Sequence, residues 1–142
     1  MSIETMNTES TAPAGFGPIF RSSPLLDALG GFHSRGIGPT LEIGLLVGER
    51  HANSRGTLHG GVAATLADAA IGYLLAFKSD PPTRLVTVSL TIDYVATARI
   101  GDWIDVRLES HDATGRLVFA TASLVVGERV IARARVVFTS VS

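Results

Sequence analysis

The sequence predicts an α+β domain in which an antiparallel sheet packs against one long helix, and three observations carry that reading. Residues 62–77 are apolar on every side, with Val62, Leu66, Ala69, Tyr73 and Phe77 at helical spacing on an expected core face. The breaker Ser79-Asp80-Pro81-Pro82 ends that run. Beyond it, apolar and polar residues alternate in stretches joined by short glycine-bearing turns, which is the pattern of antiparallel strands. A helix apolar all round needs cover on all sides.

The elements follow in order. The opening residues are small and polar and include Pro13 and Gly15; they read as a flexible N-terminal tail over residues 1–20, with one domain over residues 21–142. They lack the basic start and apolar core of a secretory signal. Ser23 is placed to cap a short helix, with Pro24 at its first position and Gly30 as its stop. Residues 40–47 read as a strand, and the polar residues 48–58 as the loop leading into the long helix.

After the breaker, Val86, Val88, Leu90, Ile92 and Tyr94 alternate with Thr87, Ser89, Thr91 and Asp93 over residues 85–95, a half-buried strand. Ile100-Gly101-Asp102 turns the chain into a second strand, in which Ile104, Val106 and Leu108 alternate with polar residues. Thr114-Gly115-Arg116 leads into residues 117–126, and Gly127-Glu128 into residues 130–141. Short turns join neighbours, so these four strands are expected to form a meander.

Composition bounds the function. The chain has 142 residues, 46% apolar and 18% charged, enough for one packed core. A net charge of −1 gives no case for nucleic acid or an anionic membrane surface as partner. There are no cysteines, which excludes disulfides and thiolate metal sites and is compatible with a cytoplasmic location. His33, His51, His59 and His111 show no metal-ligand spacing. No apolar run reaches the ~20 residues of a membrane span.

The stretch Asn53-Ser54-Arg55-Gly56-Thr57-Leu58-His59-Gly60-Gly61, with the helix it opens, carries the chemistry. The first N–H groups of a helix are unpaired and sit at the positive end of its dipole. Gly60 and Gly61 let a ligand approach that backbone closely, so the helix start can hold an anion or a developing oxyanion. Asp68 is the sole charged residue between His59 and Phe77, and its helical neighbours Ala64, Thr65, Ile71 and Gly72 offer no cation. It lies either on a solvent-facing strip or in a partly buried cavity where the carboxylate works.

These residues resemble the hotdog-fold acyl-CoA thioesterases, in particular the branch typified by the phenylacetate-pathway protein PaaI, over about residues 38–140. The His-Gly-Gly with an acid on the helix marks the superfamily; Asn53, six residues before His59, and an Asp nine after it mark the branch. The resemblance implies the hotdog fold, an antiparallel sheet wrapped around one long central helix, which the all-round apolarity of residues 62–77 fits. It also implies hydrolysis of an acyl-CoA to free acid and CoA without metal or other cofactor. It implies that the Gly60 N–H polarises the thioester carbonyl, Asn53 helps hold the carbonyl or the attacking water, and His59 positions. Asp68 then acts as general base or as nucleophile, oriented by Thr87 where many relatives carry Ser. Gly61 joins the substrate-binding surface. Arg99, Arg116 and Arg133 are candidates for the CoA phosphates, because the arginine fork suits phosphate, although a solvated strand face is the better explanation for any single one of them. The resemblance further implies a homodimer or a dimer-of-dimers tetramer, with donor and acid from different subunits.

Two other readings stand beside this one. A hotdog dehydratase or hydratase would act on similar thioesters, but Asn53 with the Gly60-Gly61 pair favours hydrolysis. A non-catalytic acyl-CoA sensor would need an added DNA-binding segment, for which residues 1–20 are too short and insufficiently basic.

Overall fold

The computed structural model describes residues 11–141, and among them lie seven strands and two α-helices. In chain order these are β1 (Gly17–Pro18), α1 (Pro24–Leu29), β2 (Phe32–Arg35), β3 (Glu42–Leu46), α2 (Gly60–Ala76), β4 (Arg84–Tyr94), β5 (Trp103–Thr114), β6 (Leu117–Val126) and β7 (Arg129–Val141). The strands form one antiparallel sheet in the order β1-β2-β3-β5-β6-β7-β4, and α2 packs against β3 to β7. This is the hotdog arrangement. No helix among the described residues is long and apolar enough to cross a membrane.

Local chemistry sets the shorter elements. The Ser23 hydroxyl accepts the Leu26 N–H at 3.2 Å, Pro24 opens α1, and Gly30, with φ of 71°, ends it, as the sequence predicts. Strand β2 is absent from the sequence reading because its four residues are too few to establish alternation; in the fold, Phe32 and Ser34 are buried and His33 and Arg35 are less so. Gly44 on β3 is required by packing: a Cβ there would collide with the Trp103 ring.

Residues 1–10 of the expected tail lie outside the described residues. Within the rest of that stretch, β1 pairs with β2, Phe16 stacks edge-on against Trp103 at 4.7 Å, and Arg35 reaches back to the Ala14 carbonyl at 2.7 Å. The aromatic cover of the Trp103 ring thus draws residues 16–20 into the domain. The same Arg35 forks onto Glu42 with two 2.8 Å bonds, which fixes the β2–β3 register and holds the Glu42 carboxyl below its usual range.

Helix α2 buries Leu66, Ala67, Ala70 and Ile71 completely against the sheet. Each large aliphatic side chain buried in this way contributes about 1.5–3 kcal/mol. The core face is turned by roughly a quarter of the circumference from the expected one, at 100° per residue. Ala69, Tyr73 and Phe77, expected in the core, lie half-buried with Thr65, Asp68 and Gly72 on the strip that the sheet of one chain leaves open. The expected all-round burial is therefore not met within a single chain.

The meander holds for β5, β6 and β7 only. Strand β4 pairs with β7 at the far edge, and β3 takes the place beside β5 that a simple meander would give β4. The eight residues between β4 and β5 carry the chain across the sheet end, where Leu58 N–H bonds the Ala98 carbonyl at 2.8 Å and ties this crossing to the loop before α2.

Strand β4 also departs from strict alternation. Thr87 lies opposite Phe138, but Ser89 lies opposite Val137 and Leu90 opposite Val136, so a bulge falls at Val88. Opposed residues share a face, and Phe138, Val136, Ala134 and Ala132 are the buried, helix-facing residues of β7. The bulge therefore puts Thr87 on the same side as Leu90, Ile92 and Tyr94, and leaves Val86 on the other.

Candidate active site

The loop before α2 is a closed hydrogen-bonded unit. Asn53 Oδ1 accepts from the N–H groups of Arg55 and Thr57 at 2.9 and 3.2 Å, and Asn53 Nδ2 donates to Thr57 Oγ1 at 2.9 Å. The side chain expected at the substrate is thus engaged in shaping its own loop, as asparagine does in turns. His59 caps α2: its Nδ1 accepts the Gly61 N–H at 3.0 Å, and its own N–H bonds the His51 carbonyl at 2.7 Å. With the Gly61 N–H taken by His59, the Gly60 N–H is the first outward donor of the helix.

Asp68 and Thr87 meet. Thr87 Oγ1 donates to Asp68 Oδ1 at 2.6 Å, across 19 residues of sequence. That short charge-assisted bond fixes the carboxylate rotamer and leaves Oδ2 free to face a ligand. The contact depends on the Val88 bulge, since unbroken alternation would aim Thr87 at the opposite face from Leu90. Asp68 and Thr87 line a cavity of ≈ 820 Å³ between α2 and β4, which extends past Gly72 and Tyr73 to Phe77. Phe20 meets Tyr73 and Phe77 edge-on there, with ring centroids 5.5 and 4.9 Å apart. The residues on the open strip of α2 thus include one wall of a cavity of ligand size.

The donor and the acid do not converge within one chain. Gly60 and Asp68 are eight residues apart, about 12 Å along the axis at 1.5 Å per residue. The arginines are dispersed too. Arg99 lies beside the donor loop through a backbone bridge to Thr57; Arg116 sits in the β5–β6 turn; Arg133 is exposed on the outer face of β7, opposite Asp93.

Two residues near the site were missed by the sequence reading. His51, 3% exposed, accepts the Gly48 N–H at Nδ1 and bonds the Leu29 and Gly30 carbonyls through Nε2 at 3.0 and 2.8 Å, anchoring the base of the loop. Tyr94, at the end of β4, donates its hydroxyl to the Gly60 carbonyl at 2.6 Å. Nothing local in the sequence signals the bonds of His51 Nε2 or of the Tyr94 hydroxyl, because their partners lie 21 to 34 residues away.

Comparison with known proteins shows the family of the chain. The family model described as the thioesterase superfamily matches residues 55–125, from the donor loop through most of β6. A protein of Pseudomonas aeruginosa provisionally named an esterase is 46% identical over 127 residues, covering 89% of this chain and 95% of that one. Acyl-coenzyme A thioesterase 13 of Mus musculus is 35% identical over 78 residues, 55% of each chain. Among solved structures, a mutant of the phenylacetic acid degradation protein PaaI from Thermus thermophilus superposes with a TM-score of 0.71 at 21% identity, over 84% of this chain and all of the other, a likeness of fold. With the family model matching half of the chain and a relative 46% identical over most of it, this chain belongs to the thioesterase superfamily and is a hydrolase.

Proposed function

We propose that the protein hydrolyses acyl-CoA thioesters in the manner of the PaaI-like branch, through sites completed by dimerisation. The observation that carries this reading is the Asp68–Thr87 contact at the wall of the cavity, with the helix-start Gly60 N–H, which has no partner among the described residues, about 12 Å away on the same helix. One chain offers both groups but not to one carbonyl. The Gly60 N–H of one subunit accordingly polarises the thioester carbonyl, and Asp68 of the other activates water or attacks directly. In the first case the carboxylate takes the proton of the water as oxygen adds to the carbonyl carbon; collapse of the tetrahedral species expels CoA thiolate, which recovers that proton.

Strand β4 supports the dimer. Among the described residues it stands at the sheet edge, paired with β7, and it exposes Val86, Val88 and Tyr94 by more than half, with Val95 just beyond it. Such an edge presents unpaired backbone groups and apolar side chains to a partner. Arg99, Arg116 and Arg133 remain the candidates for the CoA phosphates. A cytoplasmic location follows from CoA as the leaving group. Free-thiol release from a panel of aryl and aliphatic acyl-CoAs, followed with a thiol-reactive dye, tests the activity. Turnover that depends on acyl identity is expected; a folded protein that releases no thiol from any of them refutes the reading.

A further inference from the structure

Tyr94 and His59 touch opposite sides of one peptide unit. The Tyr94 hydroxyl donates to the Gly60 carbonyl at 2.6 Å, and the N–H of that same unit, on Gly61, donates to His59 Nδ1 at 3.0 Å. The ring also closes over Gly60: a Cβ at Gly60 would lie 3.3 Å from Tyr94 Cζ and Oη. Glycine has wide backbone freedom, so the first residue of α2 needs something outside itself to hold it still.

A donor on the carbonyl oxygen polarises the peptide unit and strengthens its N–H as a donor, as bonds in a chain do. The imidazole nitrogen that receives such a bond must carry a lone pair. Neutral His59 then bears its proton on Nε2, because one ring nitrogen donates while the other accepts. His59 is exposed at the helix start, so the nitrogen it presents outward is a donor.

We infer that Tyr94 is a positioning residue: its hydroxyl fixes Gly60 and, through the Gly60–Gly61 peptide, sets His59 in the tautomer that presents Nε2–H at the donor end of the site. Its consequence for catalysis rests on the thioesterase reading above; the bond relay does not. Strand β4 thereby serves both ends. Thr87 holds the acid, and seven residues on, roughly 23 Å along the strand, Tyr94 holds the donor.

Tyr94→Phe keeps the ring against Gly60 and removes only the hydroxyl, and the half-exposed position leaves the fold intact. Imidazole nitrogen shifts in ¹⁵N-labelled protein report the tautomer directly. The wild type is expected to show His59 as Nε2–H; Tyr94→Phe should show a mixture of tautomers together with an upfield move of the Gly61 amide proton. Steady-state kinetics on the best thioester of the panel should show kcat reduced about three- to tenfold, the worth of one ordinary hydrogen bond, with KM nearly unchanged. A wild-type His59 protonated on Nδ1, or a Tyr94→Phe spectrum unchanged at His59 and Gly61, overturns the relay whatever the kinetics show. Altered spectra with unchanged kcat overturn the positioning role. A wild type that hydrolyses no thioester instead removes the catalytic reading, while the spectra still decide the relay.

Discussion

The loop leading into α2 is shaped chiefly by near neighbours: Asn53 with Thr57, His59 with Gly61, His59 with His51. Asp68, two turns along the same helix, takes a side-chain hydrogen bond from Thr87 on another element, and only because β4 bulges. The first region is largely a local motif, which the rest of the fold then anchors through the Leu58–Ala98 bond and the Tyr94 hydroxyl on the Gly60 carbonyl. The second exists only once helix and sheet have docked. In the proposed reaction the local motif supplies a fixed backbone donor, whereas the docked pair supplies the group that handles the proton. A change at the first should blunt turnover through loop geometry, and a change at the second should remove the chemistry while leaving the loop untouched.

The largest effect is expected at the acid. Asp68→Asn keeps an oxygen to accept from Thr87, so the fold and acyl-CoA binding should persist. The lost carboxylate should lower kcat by about 10²–10⁴, the usual worth of a general base. Near wild-type kcat in a folded Asp68→Asn would remove Asp68 from the chemistry and leave the cavity wall as its sole role.

The two regions can also be broken separately and recombined. Asn53→Ala removes the centre of the donor loop, and Asp68→Asn removes the acid. If each site takes one region from each subunit, a mixed dimer of these dead variants holds one doubly damaged site and one intact site. Random reassortment gives roughly half mixed dimers, and so about a quarter of wild-type activity. The variants are unfolded, mixed and refolded together, with each refolded alone as control. Verified mixed dimers with activity at the control level would place both regions of a site in one chain.

The same contrast explains what was legible in the sequence. The cap Ser23, the stop Gly30, the loop and start of α2, and the three hairpin-linked strands β5 to β7 all follow from local chemistry, and all were read correctly. Missed or misplaced were β1, β2, the position of β4 and the core face of α2. With two and four residues, β1 and β2 are too short to establish alternation, and the position of β4 and the core face of α2 are settled by partners distant in sequence. Periodicity placed Thr87 on the side away from Leu90, since alternation cannot register a bulge; resemblance, not pattern, singled it out. The apolarity of α2 correctly announced a demand for cover, but on its open strip Thr65, Asp68 and Gly72 line a cavity that the sequence could not delimit.

Thr87 tests how much the docked pair contributes beyond the carboxylate itself. Thr87→Val keeps the shape and removes the donor to Asp68. An orienting bond to a charged group is worth about 1.5–3 kcal/mol, and the exposure of Thr87 lowers that, so kcat should fall roughly tenfold. Thr87→Ser keeps the hydroxyl and should restore most of the loss. If the valine and serine variants lose activity equally, the side-chain shape matters and the hydrogen bond does not.

The smallest effect concerns the leaving group, and it asks which region the CoA phosphates approach. Arg99 adjoins the donor loop through its bridge to Thr57, whereas Arg116 lies in the β5–β6 turn, where its carbonyl accepts the Ser140 N–H at 2.8 Å near the end of the sheet that carries Thr87. Both side chains are exposed, so each phosphate contact is screened and worth about 0.2–1 kcal/mol. Arg99→Ala or Arg116→Ala should therefore raise KM for CoA thioesters only about 1.4- to fivefold and leave kcat alone. An N-acetylcysteamine thioester of the same acyl group carries no phosphates and should show no change. The variant whose KM effect fades in added salt identifies the region that meets the nucleotide. A loss shared by both substrates marks a folding defect instead, and no loss in either variant moves the phosphates to Arg133 or away from all three arginines.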